Sequence, residues 1–328
     1  MNNDVILKVS NLQTYFNTPQ GTVRAVDGVS FEVKRGKVLG LVGESGCGKT
    51  VTALSILALL PRVGLEVFTG QIRYRDIDLL ELTPMQMQKI RGKCISMVFQ
   101  DPLSALNPVF TVGEQIAETL RLHLKMNRRE ARGKSIELLK RVGIPSPEKR
   151  YQEYPHQLSG GMRQRVMIAM AISCNPDVIL ADEPTTALDV TLQAQILDLL
   201  HDLREQIGMS MVLISHDLGV IAEMADEVAV MYAGQIVEYA STSKLFTDPL
   251  HPYSRGLLSS LPRSESSEEK AERLMAIPGA VPALHSPPPG CKFHPRCGLA
   301  EEICHREEPV LEEKARQHSV RCWMVEQR

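Results

Sequence analysis

Gly43-Glu44-Ser45-Gly46-Cys47-Gly48-Lys49-Thr50 decides how the rest of the chain is read. A glycine, four further residues and then Gly-Lys-Thr form the pattern of a phosphate-binding loop. Before it, Val38 to Val42 is a short apolar run fit for a buried strand. After it, Lys49 through Leu60 reads as a helix that stops at Pro61. Strand, loop and helix in that order are the context the pattern requires. Gly43, Gly46 and Gly48 let the backbone curl until successive N–H groups point inward around an anion. The following helix, with Val51 in its first turn, adds partial positive charge at its N-terminus. Lys49 is placed to reach the outer phosphates of a nucleotide and the Thr50 hydroxyl to ligate Mg2+. The plain alternative is a glycine-rich turn that holds nothing.

The composition is that of an ordinary globular chain: 328 residues, 43% hydrophobic, 23% charged, enough for two domains. A net charge of −2 gives no argument for nucleic acid or an anionic membrane surface. Met1-Asn2-Asn3-Asp4 lacks the basic and apolar regions of a signal peptide. No apolar run has the length of a membrane span; Val51–Leu60 is among the best and contains Thr52 and Ser55. Work at a membrane would need a membrane partner. Seven cysteines without an export signal argue for free thiols or metal ligation rather than disulfides.

Outward from the loop, the chain alternates strands and helices. Val5 to Ser10 and Thr22 to Val33 read as β-structure, with the aromatic pair Tyr15-Phe16 between them. Gly70 to Leu80 suggests a strand and turn, Pro84 to Lys93 a short helix, and Cys94 to Phe99 an apolar strand ending at Gln100. Leu103 to Pro155 has helical periodicity (Ile116, Leu120, Leu124; Ile136, Leu139, Val142) and reads as a helical insertion. Its basic run, Arg128, Arg129, Arg132 and Lys134, is expected to be a solvated face. Leu158-Ser159-Gly160-Gly161-Met162-Arg163-Gln164 opens a helix that continues to Cys174. Val178 to Ala181 is a buried strand running into Asp182-Glu183. A helix follows from Thr191 to Gln206, with Gly208 as its C-cap. Met211 to Ser215 leads into His216, and Val228–Tyr232 with Gln235–Tyr239 form a closing hairpin. This alternation implies an α/β sheet with a parallel core.

Taken in order, Gly43–Thr50, Gln100, the Leu-Ser-Gly-Gly-x-x-Gln signature, Asp182-Glu183, Ala187-Leu188-Asp189 and His216 resemble the ATP-binding subunit of an ABC transporter. The resemblance implies a P-loop NTPase fold with an N-terminal β-subdomain, a helical subdomain at about 101–160 and a small C-terminal extension. It divides the chain into a nucleotide-binding domain at 1–240 and a tail at 241–328. It also implies two such domains paired head-to-tail around two ATP molecules, each held by one subunit's Walker A loop and the other's signature. By position, Gly43, Glu44, Ser45, Gly46, Cys47, Gly48, Lys49, Thr50 and Val51 hold the phosphates, and Ser159, Gly160, Gly161 and Gln164 face the other ATP. Thr50, Gln100 and Asp182 would hold Mg2+, Glu183 would be the general base, and His216 would contact the γ-phosphate. Asp189 would face the partner, and Phe16, or else Tyr15, would stack on adenine. Cys47 is a filler at a variable position, and Cys94 and Cys174 are core residues.

Gln100-Asp101-Pro102-Leu103-Ser104-Ala105-Leu106-Asn107-Pro108, Tyr154-Pro155-His156-Gln157 and His251-Pro252-Tyr253 are similar to the dipeptide and oligopeptide importer branch, nearest its D-type subunit. The implied partners are a second ATPase (a paralogue), two membrane permeases and an extracytoplasmic substrate-binding protein, without nucleic acid, at the cytoplasmic face of the cell membrane. A nickel or other small-solute importer is the rival within the family. A soluble, non-transport ABC ATPase is the remote alternative, and intact Glu183 speaks against a module without turnover. Past Ala240 the chain is loop-rich, with polar Ser264 to Lys270 and three consecutive prolines before Gly290, and is expected to be a separate module. It holds Cys291, Cys297, Cys304 and Cys322, spaced by five, six and seventeen residues. Four thiolates suit a [4Fe–4S] cluster, which the resemblance also implies. Zinc with His294, His305 or His318, or free thiols, are the other readings.

Overall fold

A computed structural model describes residues 4–61, 63–186, 188–260 and 277–326. The expected polar stretch Ser264 to Lys270 and Ala187 lie outside them. The chain divides into two compact units that it enters more than once.

One unit gathers residues 4–7, Glu32–Val38 and Arg73–Ile214. Its core is the parallel set Ile95–Val98, Val178–Asp182 and Ser210–Ser215, with Val178–Asp182 in the middle. All residues of these three strands are buried, which is why they read as continuous apolar runs rather than alternating ones. Helices Val112–Leu124, Arg128–Arg141 and Gly160–Ile172 pack on one another, and Ile116, Leu120, Leu138, Leu139, Val166 and Ile168 on them are buried. Thr111, Asn127 and Ser159 cap their N-termini, and Asn127 forms a capping box with Glu130. Of the periodic apolar positions Ile116, Leu120, Leu139 and Val142 are buried while Leu124 is exposed and Ile136 half-buried; of the basic run Arg128, Arg129 and Arg132 are exposed and Lys134 half-buried. Helix Val190–Ile207 ends at Gly208 in the left-handed conformation, φ 72°.

The other unit gathers Lys8–Phe31, Leu39–Ile72 and the chain from Ser215 onward. The first two strands, Val5–Thr18 and Gly21–Lys34, are longer than expected, so Tyr15 and Phe16 lie on a strand rather than between two. Val38–Val42 pairs in parallel with Glu227–Tyr232, which forms the expected hairpin with Gln235–Ser241. The helix after the phosphate-binding loop covers Lys49–Ile56 and stops short of Pro61. Its end is closed by Leu59 N–H donating to the Leu54 carbonyl, with Ala58 left-handed at φ 48°.

The tail does not stand apart. Its strand His318–Val320 pairs antiparallel with Gln235–Ser241, aligning Val320 with Glu238, and Glu312–Ala315 adds outside it. Chemistry fixes this register: Glu238, completely buried, accepts from His318 Nε2 at 2.6 Å and from Leu250 and His251 N–H at 2.6 and 2.9 Å. Burial opposes the Glu238 carboxylate, but these donors outweigh it and hold its pKa below the usual range.

Candidate nucleotide-binding and hydrolytic site

The phosphate-binding loop is shaped by the walls around it. A Cβ on Gly43 would lie 2.1 Å from the Met231 carbonyl oxygen, and one on Gly48 2.1 Å from that of Ala25. Both glycines also have positive φ, so these two positions tolerate no side chain. Lys49 is buried and its Nζ donates to the carbonyls of Gly43 at 2.7 Å and Glu44 at 3.1 Å, lying against Cys47 Sγ at 3.8 Å. Ser45, Gly46 and Thr50 are exposed, Val51 half-buried, and Cys47 and Gly48 buried. Burial pushes the Cys47 thiol up against the opposing effect of Lys49, which fits a packing residue rather than a reactive one. Of the aromatic pair, Tyr15 is tied by its hydroxyl to Asp27 Oδ1 at 2.5 Å. Phe16 is half-buried on the alternate face, that of Leu12 and of Thr14, which bonds Ser55 of the following helix at 3.0 Å.

In the first unit, Asp182 is buried at the end of its strand, and Glu183 follows with a left-handed backbone, φ 45°. Such conformations are costly for a residue with a side chain and collect at functional sites. Glu183 Oε2 accepts from Gln100 Nε2 at 3.1 Å and from Thr186 Oγ1 at 2.8 Å, so these donors orient one carboxylate oxygen. Ser159 is an exposed N-cap whose Oγ accepts from Met162 N–H at 3.4 Å; Gly160 is exposed and Gly161 buried. Gln164 turns inward: it is 2% exposed and donates to the Pro184 carbonyl at 2.6 Å. It thereby ties the signature helix to the segment after Glu183. Asp189 is exposed and caps helix Val190–Ile207 through Leu192 N–H at 2.9 Å, and His216 is exposed just past its strand.

Sequence reasoning missed a second set of residues around the loop. Tyr253 Oη accepts from Glu44 N–H at 2.9 Å, and Arg296 forks onto the Glu44 carboxylate at 2.6 and 3.0 Å. Lys292 Nζ donates to Asp27 Oδ2 at 2.7 Å and to the Ala233 carbonyl at 3.0 Å. Burial disfavours the Asp27 charge, but Lys292 and Tyr15 outweigh that and keep its pKa low. The available signal was His251-Pro252-Tyr253, which caps and opens helix Pro252–Ser259 with His251 Nδ1 accepting from Tyr253 N–H at 3.1 Å.

His251 is completely buried, and burial pushes its pKa down to about 4. The unfolded chain therefore binds a proton between about pH 6.5 and 4 that the fold refuses, and stability falls as pH drops through that window. His251→Asn, which keeps a capping side chain, is expected to flatten the loss of urea stability between about pH 7.5 and 5.5. An unchanged slope in that variant would discard His251 as its source.

All four tail thiols are free, and burial followed by the neighbouring thiols of Cys304, Cys322 and Cys297 pushes Cys291 up to about 11. Yet among the described residues no three His, Cys, Asp or Glu side chains meet as a metal-holding group. Of the candidate zinc ligands, His318 is committed to Glu238 and His294 Nδ1 lies 2.9 Å from the Cys291 carbonyl.

Solved structures place this architecture among ABC ATPase cassettes. A dimeric bacterial ABC transporter cassette, MJ0796, superposes with a TM-score of 0.64 at 29% identity, over 72% of this chain and 98% of that one. The same cassette has been solved in a post-hydrolysis state bound to ADP and Pi, with the same TM-score and coverage. The ABC transporter family pattern matches residues 26–186, and that of the oligopeptide/dipeptide transporter C-terminal region matches 237–304. A probable peptide ABC transporter ATP-binding protein of Sinorhizobium fredii is 50% identical over 98% of this chain and 95% of its own length. The dipeptide transport ATP-binding protein DppD of Bacillus subtilis is 49% identical over 98% and 96%. The chain belongs to this family of peptide ABC transporter ATP-binding proteins.

Proposed function

We propose that the chain hydrolyses ATP to power import of di- and oligopeptides through an ABC transporter. The observation that carries the reading is the union, in one chain, of the cassette's ordered residues with the peptide-transporter region at 237–304. Lys49 and the loop N–H groups take the outer phosphates, and Phe16 stacks on adenine. Glu183, its Oε2 steered by Gln100 and Thr186, aligns and deprotonates the attacking water. His216 contacts the γ-phosphate. The buried carboxylate of Asp182 is the hard oxygen donor that Mg2+ takes. Thr50, Gln100 and Asp182 are the residues that would hold that ion, which would supply charge neutralisation for phosphoryl transfer. Ser159, Gly160, Gly161 and Asp189 serve the second protomer's nucleotide, so hydrolysis needs a paired subunit, in this reading a paralogue.

No described helix is long and apolar enough to cross a membrane; in this reading two permease subunits form the path. The exposed Leu103, Val109 and Phe110 beside Gln100 suit permease docking at the cytoplasmic face. A substrate-binding protein delivers peptides from the other side. Reconstituted with those partners, the ATPase should be stimulated by short peptides and not by nickel. Stimulation by nickel alone would overturn the peptide assignment, and activity without any membrane subunit would favour a soluble ABC ATPase.

Cys291, Cys297, Cys304 and Cys322 would hold a [4Fe–4S] cluster in this reading. Support comes from the four free thiols and from the Cys291 N–H donating to the Cys304 carbonyl at 2.8 Å. Anaerobically purified protein is expected to be brown with broad visible absorbance, lost in Cys291→Ser; colourless protein with stoichiometric zinc would exclude the cluster.

A further inference from the structure

Between the first two tail cysteines the chain reads Cys291-Lys292-Phe293-His294-Pro295-Arg296-Cys297. Three of these side chains grip the surroundings of the phosphate-binding loop. Lys292 holds Asp27, and Phe293 packs its ring against Tyr232 and Tyr253 with centroids 5.2 and 5.5 Å apart. Arg296 holds Glu44, the second residue of the loop.

The Arg296–Glu44 pair differs from a surface ion pair. The Arg296 side chain is 4% exposed, and its Nε also donates to the Pro278 carbonyl at 2.9 Å, so all three guanidinium nitrogens are bonded. A bidentate, desolvated fork fixes its carboxylate in direction as well as charge. Glu44 is consequently held at three points: its N–H by Tyr253, its carbonyl by Lys49 and its carboxylate by Arg296. Those contacts pin one leg of a loop that its glycines otherwise leave pliable.

We propose that Arg296 is a positioning residue for ATP: through Glu44 it fixes the phosphate-binding loop, so a side chain of the cysteine-rich tail sets nucleotide affinity. Two physical effects act together. A loop ordered in advance loses less freedom when phosphate arrives. Arg296 also offsets a carboxylate that would otherwise repel the triphosphate nearby. When Lys49 turns toward a phosphate, Tyr253 and Arg296 still hold Glu44 in place. The inference rests on the ATP-binding role of Gly43–Thr50 proposed above.

The test is calorimetric titration of the full chain with MgATP, alongside kcat and KM of the assembled transporter. Arg296→Ala should weaken ATP binding about tenfold, raising KM while kcat at saturation stays within about twofold. Arg296→Lys, which keeps the charge without the fork, should recover part of the loss. In a Glu44→Gln background, Arg296→Ala should change affinity less than about twofold, because its path through the carboxylate is already removed. Unchanged ATP affinity in Arg296→Ala, or an equal loss in the Glu44→Gln background, overturns the proposal. If Arg296→Ala does not fold, Arg296→Lys decides: weaker ATP binding at an unaltered melting temperature supports the role, and wild-type affinity refutes it. Failure of the wild-type chain itself to bind ATP would instead remove the nucleotide reading on which the inference stands.

Discussion

Glu183→Gln is expected to lower ATP hydrolysis by the assembled transporter at least about a hundredfold while leaving ATP bound. The substitution keeps the shape that accepts from Thr186 Oγ1 at 2.8 Å and lies within reach of Gln100. It removes only the basic oxygen, so the water is still placed but no longer deprotonated. Nucleotide that binds and does not turn over should hold two subunits closed, which size-exclusion chromatography with and without ATP will report. Turnover near the wild-type rate would take the general-base role from Glu183.

Lys49→Ala should weaken ATP binding about a hundredfold, the loss expected when a charged hydrogen-bonding partner of phosphate is deleted. The buried ammonium also bridges the carbonyls of Gly43 and Glu44, so its removal leaves both without that donor and loosens the loop itself. Calorimetry should therefore find weaker binding, and thermal unfolding a lower Tm, in the same variant. Affinity within a few-fold of wild type would mean that this loop is not where ATP is held.

Most of the cassette was legible because its elements announce themselves locally. Val38–Val42, Val178–Asp182 and Ser210–Ser215 are buried throughout and therefore mostly apolar, with Asp182, Ser210 and Ser215 at their ends, and Ser159 and Asp189 occupy helix N-caps suited to their residue types. The early end of helix Lys49–Ile56 was not legible, because a left-handed Ala58 closes it and alanine carries no such preference. The left-handed backbone of Glu183 was equally silent: its neighbours, not its residue type, impose it. The tail was furthest from view. Arg296 meets Glu44 across 252 residues, and nothing beside Arg296 in sequence distinguishes it from a solvated arginine. His251-Pro252-Tyr253 was visible as a family mark, but its task of holding the Glu44 N–H needed coordinates.

The Glu238–His318 pair has a consequence for how the protein is made. A ribosome completes Glu238 eighty residues before His318, about 4–16 s earlier at ordinary elongation rates. Throughout that interval the strand carrying Glu238 has no His318 to receive its carboxylate, and burying the charge there is unfavourable. The strand that carries Glu238 thus gains its His318 partner only after those eighty residues have been made. A chain released before His318 would carry Gly43–Thr50, Ser159–Gln164, Asp182-Glu183 and His216 and still lack the residue that receives the buried Glu238 carboxylate.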